Sequence, residues 1–233
     1  AFALNSVSFI AMIVVLLGWH PETTARTRRP MLPTIATGIR FCATSSPIRR
    51  ILLRGMTLGF GVGGFQALIP SVVRDRLHGS ELDFGIMLGL FGIGSIVSAV
   101  LIAPARRRWG MENVLAFATL LFIVAHLGMA GTRTVAQALP LTFIAGVGWV
   151  AALTSINVAM QLRSPEAILG RCLSIYQAVT FGAMAVGAWL WGTLADWQGL
   201  KVALATPAAF LAASLLLRVI APMPRPHEGR VEA

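Results

Sequence analysis

Arg163, Glu166 and Arg171 fall within nine positions of the stretch MQLRSPEAILGRCLSIYQ (160–177), a charged island between two strongly apolar runs. A carboxylate flanked by two guanidinium groups suits either a catalytic loop or a solvent-facing turn whose charges pair with one another. Other polar residues nearby recur at helical spacing. Thr154, Asn157 and Gln161 stand at i, i+3 and i+7 and so share one face of a helix. Tyr176 and Thr180 are four apart with Gln177 beside them, and Gln66 interrupts an earlier apolar run. Neutral amides and hydroxyls can bind the polar groups of a small molecule without the larger cost of burying a charge. These seven residues are candidates for a substrate pathway, with hydrogen bonding to a neighbouring helix as the alternative for each.

Hydrolytic chemistry inside a membrane would need a nucleophile with a base, or paired His and carboxylate ligands on a metal. The apolar runs contain one histidine, His126, and no Asp or Glu well inside. No enzyme, metal or cofactor is therefore expected. His126 is read as packing near the outer interface, in preference to a proton relay. Asp196 and Trp197 end an apolar run, where a carboxylate is hydrated and an indole sits at headgroup level. Glu166 is expected either to pair with Arg163 and Arg171 or to stand in a solvated turn with no gating role.

The elements that must position these residues follow from composition. Of 233 residues, 56% are hydrophobic and 12% charged, against roughly 25% charged in an ordinary soluble domain. Mean hydropathy is +0.77. Seven runs are long enough for the ~30 Å hydrocarbon core of a bilayer: 1–19, 51–73, 84–105, 113–131, 139–160, 172–195 and 202–221. They exceed the ~9 to 11 residues of a barrel strand and do not alternate. The reading is an all-α integral membrane protein with seven transmembrane helices.

Arginines orient the spans. Alternation assigns residues 20–54, 106–112, 161–171 and the C-terminal tail to one side, which carries fifteen of the 19 Lys and Arg; Arg74, Arg76, Arg133 and Lys201 lie on the other. Acidic residues divide five to four, so the bias belongs to the cations. The arginine-rich side is expected to be cytoplasmic, with the C-terminus inside a cell (inner or plasma) membrane. The net charge of +10 is thus spread over the loops of one face; it suits topology and contact with anionic headgroups, and no nucleic-acid partner is expected. Cys42 and Cys172 fall on that side without metal-ligand spacing and are read as free structural thiols.

Within 20–50, Ile35, Ile39 and Cys42 recur at helical spacing before Ser45, Ser46 and Pro47, which suggests a short interfacial helix in a cytoplasmic connector. Gly59 with Gly63, and Gly85 with Gly89, form small-xxx-small pairs expected to admit close helix contacts, with further smooth surface at Gly92, Gly94, Gly182 and Gly187. The chain begins with Ala1 and enters an apolar run at once, so it is expected to be a fragment preceded by further helices.

AFALNSVSFI, SSPIRRILLRG, ALIPSVVRDRL and FGIMLGLFGIGSIVSA, in that order, resemble the major facilitator superfamily. The strongest likeness is WVAALTSINVAMQLRSPEAILGRCLSIYQAVTFGAMAVGAWLWGTLADWQG, which is similar to the helix 10 to 11 region of the branch that holds the enterobactin exporter and the transmembrane secretion effectors. The resemblance implies family helices 6 to 12: residues 1–19 as helix 6, 20–50 as connector, 51–221 as the C-terminal six-helix bundle and 222–233 as a cytoplasmic tail. It implies efflux of a small amphipathic molecule, such as a siderophore or drug, by proton antiport and alternating access. Its partners would be the bilayer, the substrate and the missing N-terminal helices. A lysophospholipid facilitator and a non-transporting scaffold or sensor are the alternatives. Family helices 7, 10 and 11 border the central cavity, which is where the polar candidates fall. The family's acidic residue in the loop between helices 8 and 9 is lacking from APARRRWG; Arg106, Arg107 and Arg108 are expected to set topology and touch headgroups, with a conformational latch as the other reading.

Overall fold

The computed structural model describes residues 2–18 and 31–224, and no strand occurs among them. The chain divides into two compact units, Ala1–Thr34 and Ile35–Ala233. The first contains helix α1 (Phe2–Leu17), which is 16 residues long and uncharged. Residues 19–30 and 225–233 lie outside the described residues, and with them Arg26, Arg28, Arg29, Arg225 and Arg230.

The second unit is a helix bundle. Its elements are the end of α2 (Met31–Thr44), α3 (Ser46–Ser71) with a π turn at Val72–Arg76, α4 (Glu81–Gly131), α5 (Val135–Gln161), a short 3-10 turn at Glu166–Ile168, α6 (Leu169–Gln198), α7 (Leu200–Ser214) and α8 (Leu217–Ile220). Among the described residues, five helical stretches are long and apolar enough to cross a membrane: Ser46–Arg76, Glu81–Gly131, Val135–Gln161, Glu166–Gln198 and Leu200–Ile220. Two expected spans, 84–105 and 113–131, are thus joined in α4. Its 51 residues would extend ~77 Å at ~1.5 Å per residue, more than twice the ~30 Å hydrocarbon core. Gly110 resolves this length. It adopts φ 79° and ψ 161°, which break the helix into a first arm (81–109) and a second arm (111–131). The left-handed φ is open to glycine and strained for any residue with a Cβ.

Helices run past the apolar cores read from sequence because backbone hydrogen bonding, unlike hydropathy, continues through charged residues. α3 begins at Ser46, five residues before the expected boundary, with Pro47 in its first turn, where a missing N–H costs nothing. The first arm of α4 follows α3 through a capping box in which the Ser80 hydroxyl and the Asp83 carboxylate satisfy each other's backbone N–H groups.

α3 packs on α6 and α4 on α5, with α7 against α3, α4 and α6. The α3–α6 contact is as close as the expected glycine pair allows: a methyl group at Gly59 would strike the Thr180 carbonyl, and one at Gly63 the Met184 carbonyl. The second expected pair is not used this way. Gly85 and Gly89 have nothing within contact distance of an added Cβ, as do Gly92 and Gly182. The α4–α5 approach instead uses Gly94 against Phe143 and Gly146 against Phe91, one helix contributing a single glycine to each contact. Spacing within one helix therefore misjudged an interface built across two.

The interfacial-helix expectation meets α2. Ile35 and Ile39 are exposed, whereas Cys42 is buried and Gly38 lies against Arg171 and Ile175 at the start of α6. Cys42 and Cys172 are both free and buried. Burial, and then the neighbouring Cys172 thiol, push the Cys42 thiol up to about 12.

Candidate functional site

The polar stripe of α5 lies where expected on one helix. Thr154 and Asn157 are half-buried and Gln161 is exposed. The Gln161 amide donates to the Asn157 side-chain oxygen, so the two amides form one polar unit. Thr154 donates to the Val150 carbonyl at 2.6 Å and accepts from Arg106 at 3.4 Å. Arg106 therefore turns inward from the triple-arginine segment, while Arg107 and Arg108 stay exposed.

Gln66 sits at another depth. It borders a cavity of about 120 Å³ with Phe84 and Phe91, and Phe91 is the residue that meets Gly146. From Gly146 to Thr154, Asn157 and Gln161 is about 12, 16 and 22 Å along α5 at ~1.5 Å per residue. Gln66 and the stripe thus mark two levels of the bundle.

The α6 candidates divide. Gln177 is exposed. Tyr176 and Thr180 are buried in the contact with α3, where both lie against Gly55 and Thr180 also lies against Gly59; the Tyr176 hydroxyl donates to the Leu153 carbonyl at 3.4 Å. A four-residue spacing identifies a face without telling which neighbour that face meets.

The opening charged island is likewise split. Glu166 is exposed and belongs to none of the ion pairs among the described residues. Arg171 is half-buried. Arg163 turns into the protein, 4% exposed, and donates to the carbonyls of Ala159 at 3.1 Å and Pro224 at 2.7 Å.

A cluster that sequence reasoning treated only as topology lies at the same helix ends. Arg54, 6% exposed, forms an ion pair with Glu112, whose other oxygen accepts the Met223 backbone N–H at 2.6 Å. Arg218 donates to the Asn113 side-chain oxygen at 2.6 Å and stands 3.9 Å from Glu112. Arg50 donates to the Pro222 carbonyl at 3.3 Å. Three helix ends and residues 222–224 are thereby tied together. Two signals pointed to it: Arg54 is the one charge in the run 51–73, and Glu112 the one acid near Arg106–Arg108. A buried cation in a low-dielectric interior requires a partner.

His126 is a core residue, fully buried and not peripheral. Its Nδ1 is 2.8 Å from the Phe122 carbonyl, and its ring meets Phe65 of α3 at 5.3 Å. Packing is the role this geometry gives it. Asp196 and Trp197 are exposed at the end of α6, and no cluster of three metal-ligating side chains occurs among the described residues.

The arrangement offers uncharged polar groups along one bundle helix and arginines gathered at one set of helix ends. No curated protein matches the chain. A family model described as transmembrane secretion effector matches residues 1–232, and the chain accordingly belongs to that family of membrane transporters within the major facilitator superfamily.

Proposed function

We propose that the chain forms the C-terminal portion of an efflux transporter, family helices 6 to 12, which moves a small amphipathic molecule such as a siderophore or drug outward by alternating access. Residues 1–19 would be helix 6, 20–50 the connector, 51–221 the six-helix bundle and 222–233 a tail, with the C-terminus on the cytoplasmic side of the cell membrane. The single observation that carries this reading is the half-exposed amide and hydroxyl stripe Thr154, Asn157 and Gln161 on a membrane-length helix. A polar stripe facing lipid would be costly, whereas one facing a hydrated cavity between two pseudosymmetric halves can meet substrate. The family supplies proton antiport as the energy source.

Everted vesicles containing the full-length transporter test this. Accumulation of an amphipathic export substrate should require an inward-acidic pH gradient and collapse with a protonophore. Flux independent of the gradient would favour a lysophospholipid-type facilitator, and no flux for any substrate class would leave a scaffold or sensor.

A further inference from the structure

An apolar groove of about 370 Å³ runs along the first arm of α4, between that arm, the second arm and α5. Leu101 and Pro104 of the first arm, Phe117 of the second and Ala151 of α5 line it. Ser98 closes one end, and Arg108 and Trp109 stand at the other. Leu101, Trp109 and Phe117 are each about half exposed, so the groove opens on the protein's surface. From residue 97 to residue 109 it spans roughly 18 Å along the helix. That is close to half the ~30 Å hydrocarbon thickness, the depth of one leaflet.

Its mouth is chemically unlike its length. Arg107 and Arg108 are exposed and take part in no ion pair among the described residues, and the nearest acid in sequence, Glu112, is held by Arg54 and the Met223 N–H. Guanidinium groups bind phosphate oxygens in a bidentate fork, and an indole prefers headgroup level. An apolar slot one leaflet deep with an exposed arginine and a tryptophan at its rim matches one molecule type in both chemistry and size.

We propose that this groove is a binding site for an anionic glycerophospholipid of the leaflet on the arginine-rich side, with one acyl chain along Leu101, Pro104 and Phe117 and the phosphate at Arg108. The bound lipid stays in its own leaflet, and the site is separate from the α5 stripe. Arg106 turns to Thr154 while Arg108 faces the groove, so neighbouring arginines serve different ends. A net-negative headgroup is favoured because the rim cation, Arg108, has no ion-pair partner among the described residues, and the adjacent Arg107 is likewise exposed and outside every ion pair there.

Full-length protein in nanodiscs of equal phosphatidylglycerol and phosphatidylcholine, released and examined by native mass spectrometry, tests the assignment. Wild-type protein should retain phosphatidylglycerol at least fivefold over phosphatidylcholine. Arg108→Gln should abolish that preference, Arg108→Lys should keep most of it, and Arg133→Gln, on the opposite side, should leave it unchanged. Ser98→Leu, which fills the groove's far end, should shift retention toward shorter acyl chains. Melting temperatures of all variants identify any that fail to fold, and the lysine variant then carries the comparison. Equal retention of the two lipids by wild-type protein would overturn the proposal, as would equal effects of Arg108→Gln and Arg133→Gln. Displacement of the lipid by millimolar glycerol phosphate alone would reassign the site to a soluble phosphate and equally overturn it.

Discussion

Arg54 and Glu112, 58 positions apart, form an ion pair that joins the first turns of α3 to the start of the second arm of α4. The pair is the centre of a larger junction, because Glu112 also receives the Met223 N–H and approaches Arg218. Removing one partner from a buried pair leaves an uncompensated charge, which is why such changes cost more than the pair itself contributes.

Arg54→Met and Glu112→Leu should each lower stability, by about 3 to 5 kcal/mol for Glu112→Leu, which leaves the buried Arg54 charge without its partner. Glu112→Gln should cost less than Glu112→Leu, since the glutamine oxygen can still accept from Arg54. The double variant Arg54→Met with Glu112→Leu should regain part of the loss. Thermal unfolding of detergent-solubilised protein checks this; additive losses in the double variant would show that the two residues act separately.

Gly63→Ala should destabilise by about 1 to 3 kcal/mol, the usual cost of overpacking, since its methyl would collide with the Met184 carbonyl and backbone has little room to yield. Gly85→Ala should cost nothing measurable, because its surroundings are open and alanine favours a helix by up to ~1 kcal/mol. Equal melting shifts for the two would contradict the packing described for α3 and α6.

Cys42 should resist alkylation. With its thiol pushed up to about 12 from 9.0, the thiolate at neutral pH is about a thousandfold scarcer than for an unshifted thiol, since each unit is tenfold, and the thiolate is the nucleophile. Burial raises the value by disfavouring the charged form, so reactivity should climb only at strongly alkaline pH or after unfolding. Rapid maleimide labelling of Cys42 in folded protein near pH 7 would contradict its burial beside Cys172.

Topology is testable at exposed positions. Thr132 and Ser164 are buried, so cysteines there would stay unlabelled on either side of a membrane. Cysteines at Ser80 and Thr134 should react with an impermeant reagent outside intact cells, and ones at Arg107 and Ala167, also exposed, should react only after permeabilisation. The reverse pattern would invert the orientation drawn from the arginines.

Much of the helical architecture was legible because a membrane span is a local property: length and hydropathy of one run suffice. Partnering is not local, and that is where sequence reading stopped. Tyr176 and Thr180 have the same spacing as residues facing a cavity, yet they pack against Gly55 and Gly59, whose bare backbone creates the space from a distant part of the chain. Gly85 and Gly89 repeat the spacing of Gly59 and Gly63 without a partner helix to use it. Arg54 was legible in principle, since one charge in an apolar run demands a counterion, but its partner follows only once Gly110 folds the second arm of α4 back.

Asn157→Ala separates a cavity role from a structural one. Asn157 is half-buried and accepts from Gln161 on its own helix, and among the described residues no hydrogen bond ties it to another helix. A cavity amide is hydrated when substrate is absent, and its loss should then reduce substrate efflux severalfold while the melting temperature stays within a degree or two. Tyr176→Phe offers the contrast, because its hydroxyl reaches the Leu153 carbonyl across the bundle; it should lower stability by ~0.6 to 2 kcal/mol, the range for hydrogen bonds between membrane helices, with efflux per folded molecule preserved. Efflux and detergent-solubilised melting measured on the same preparations distinguish the two. Normal efflux in Asn157→Ala with a lowered melting point would make Asn157 a structural residue and remove the stripe from the substrate route.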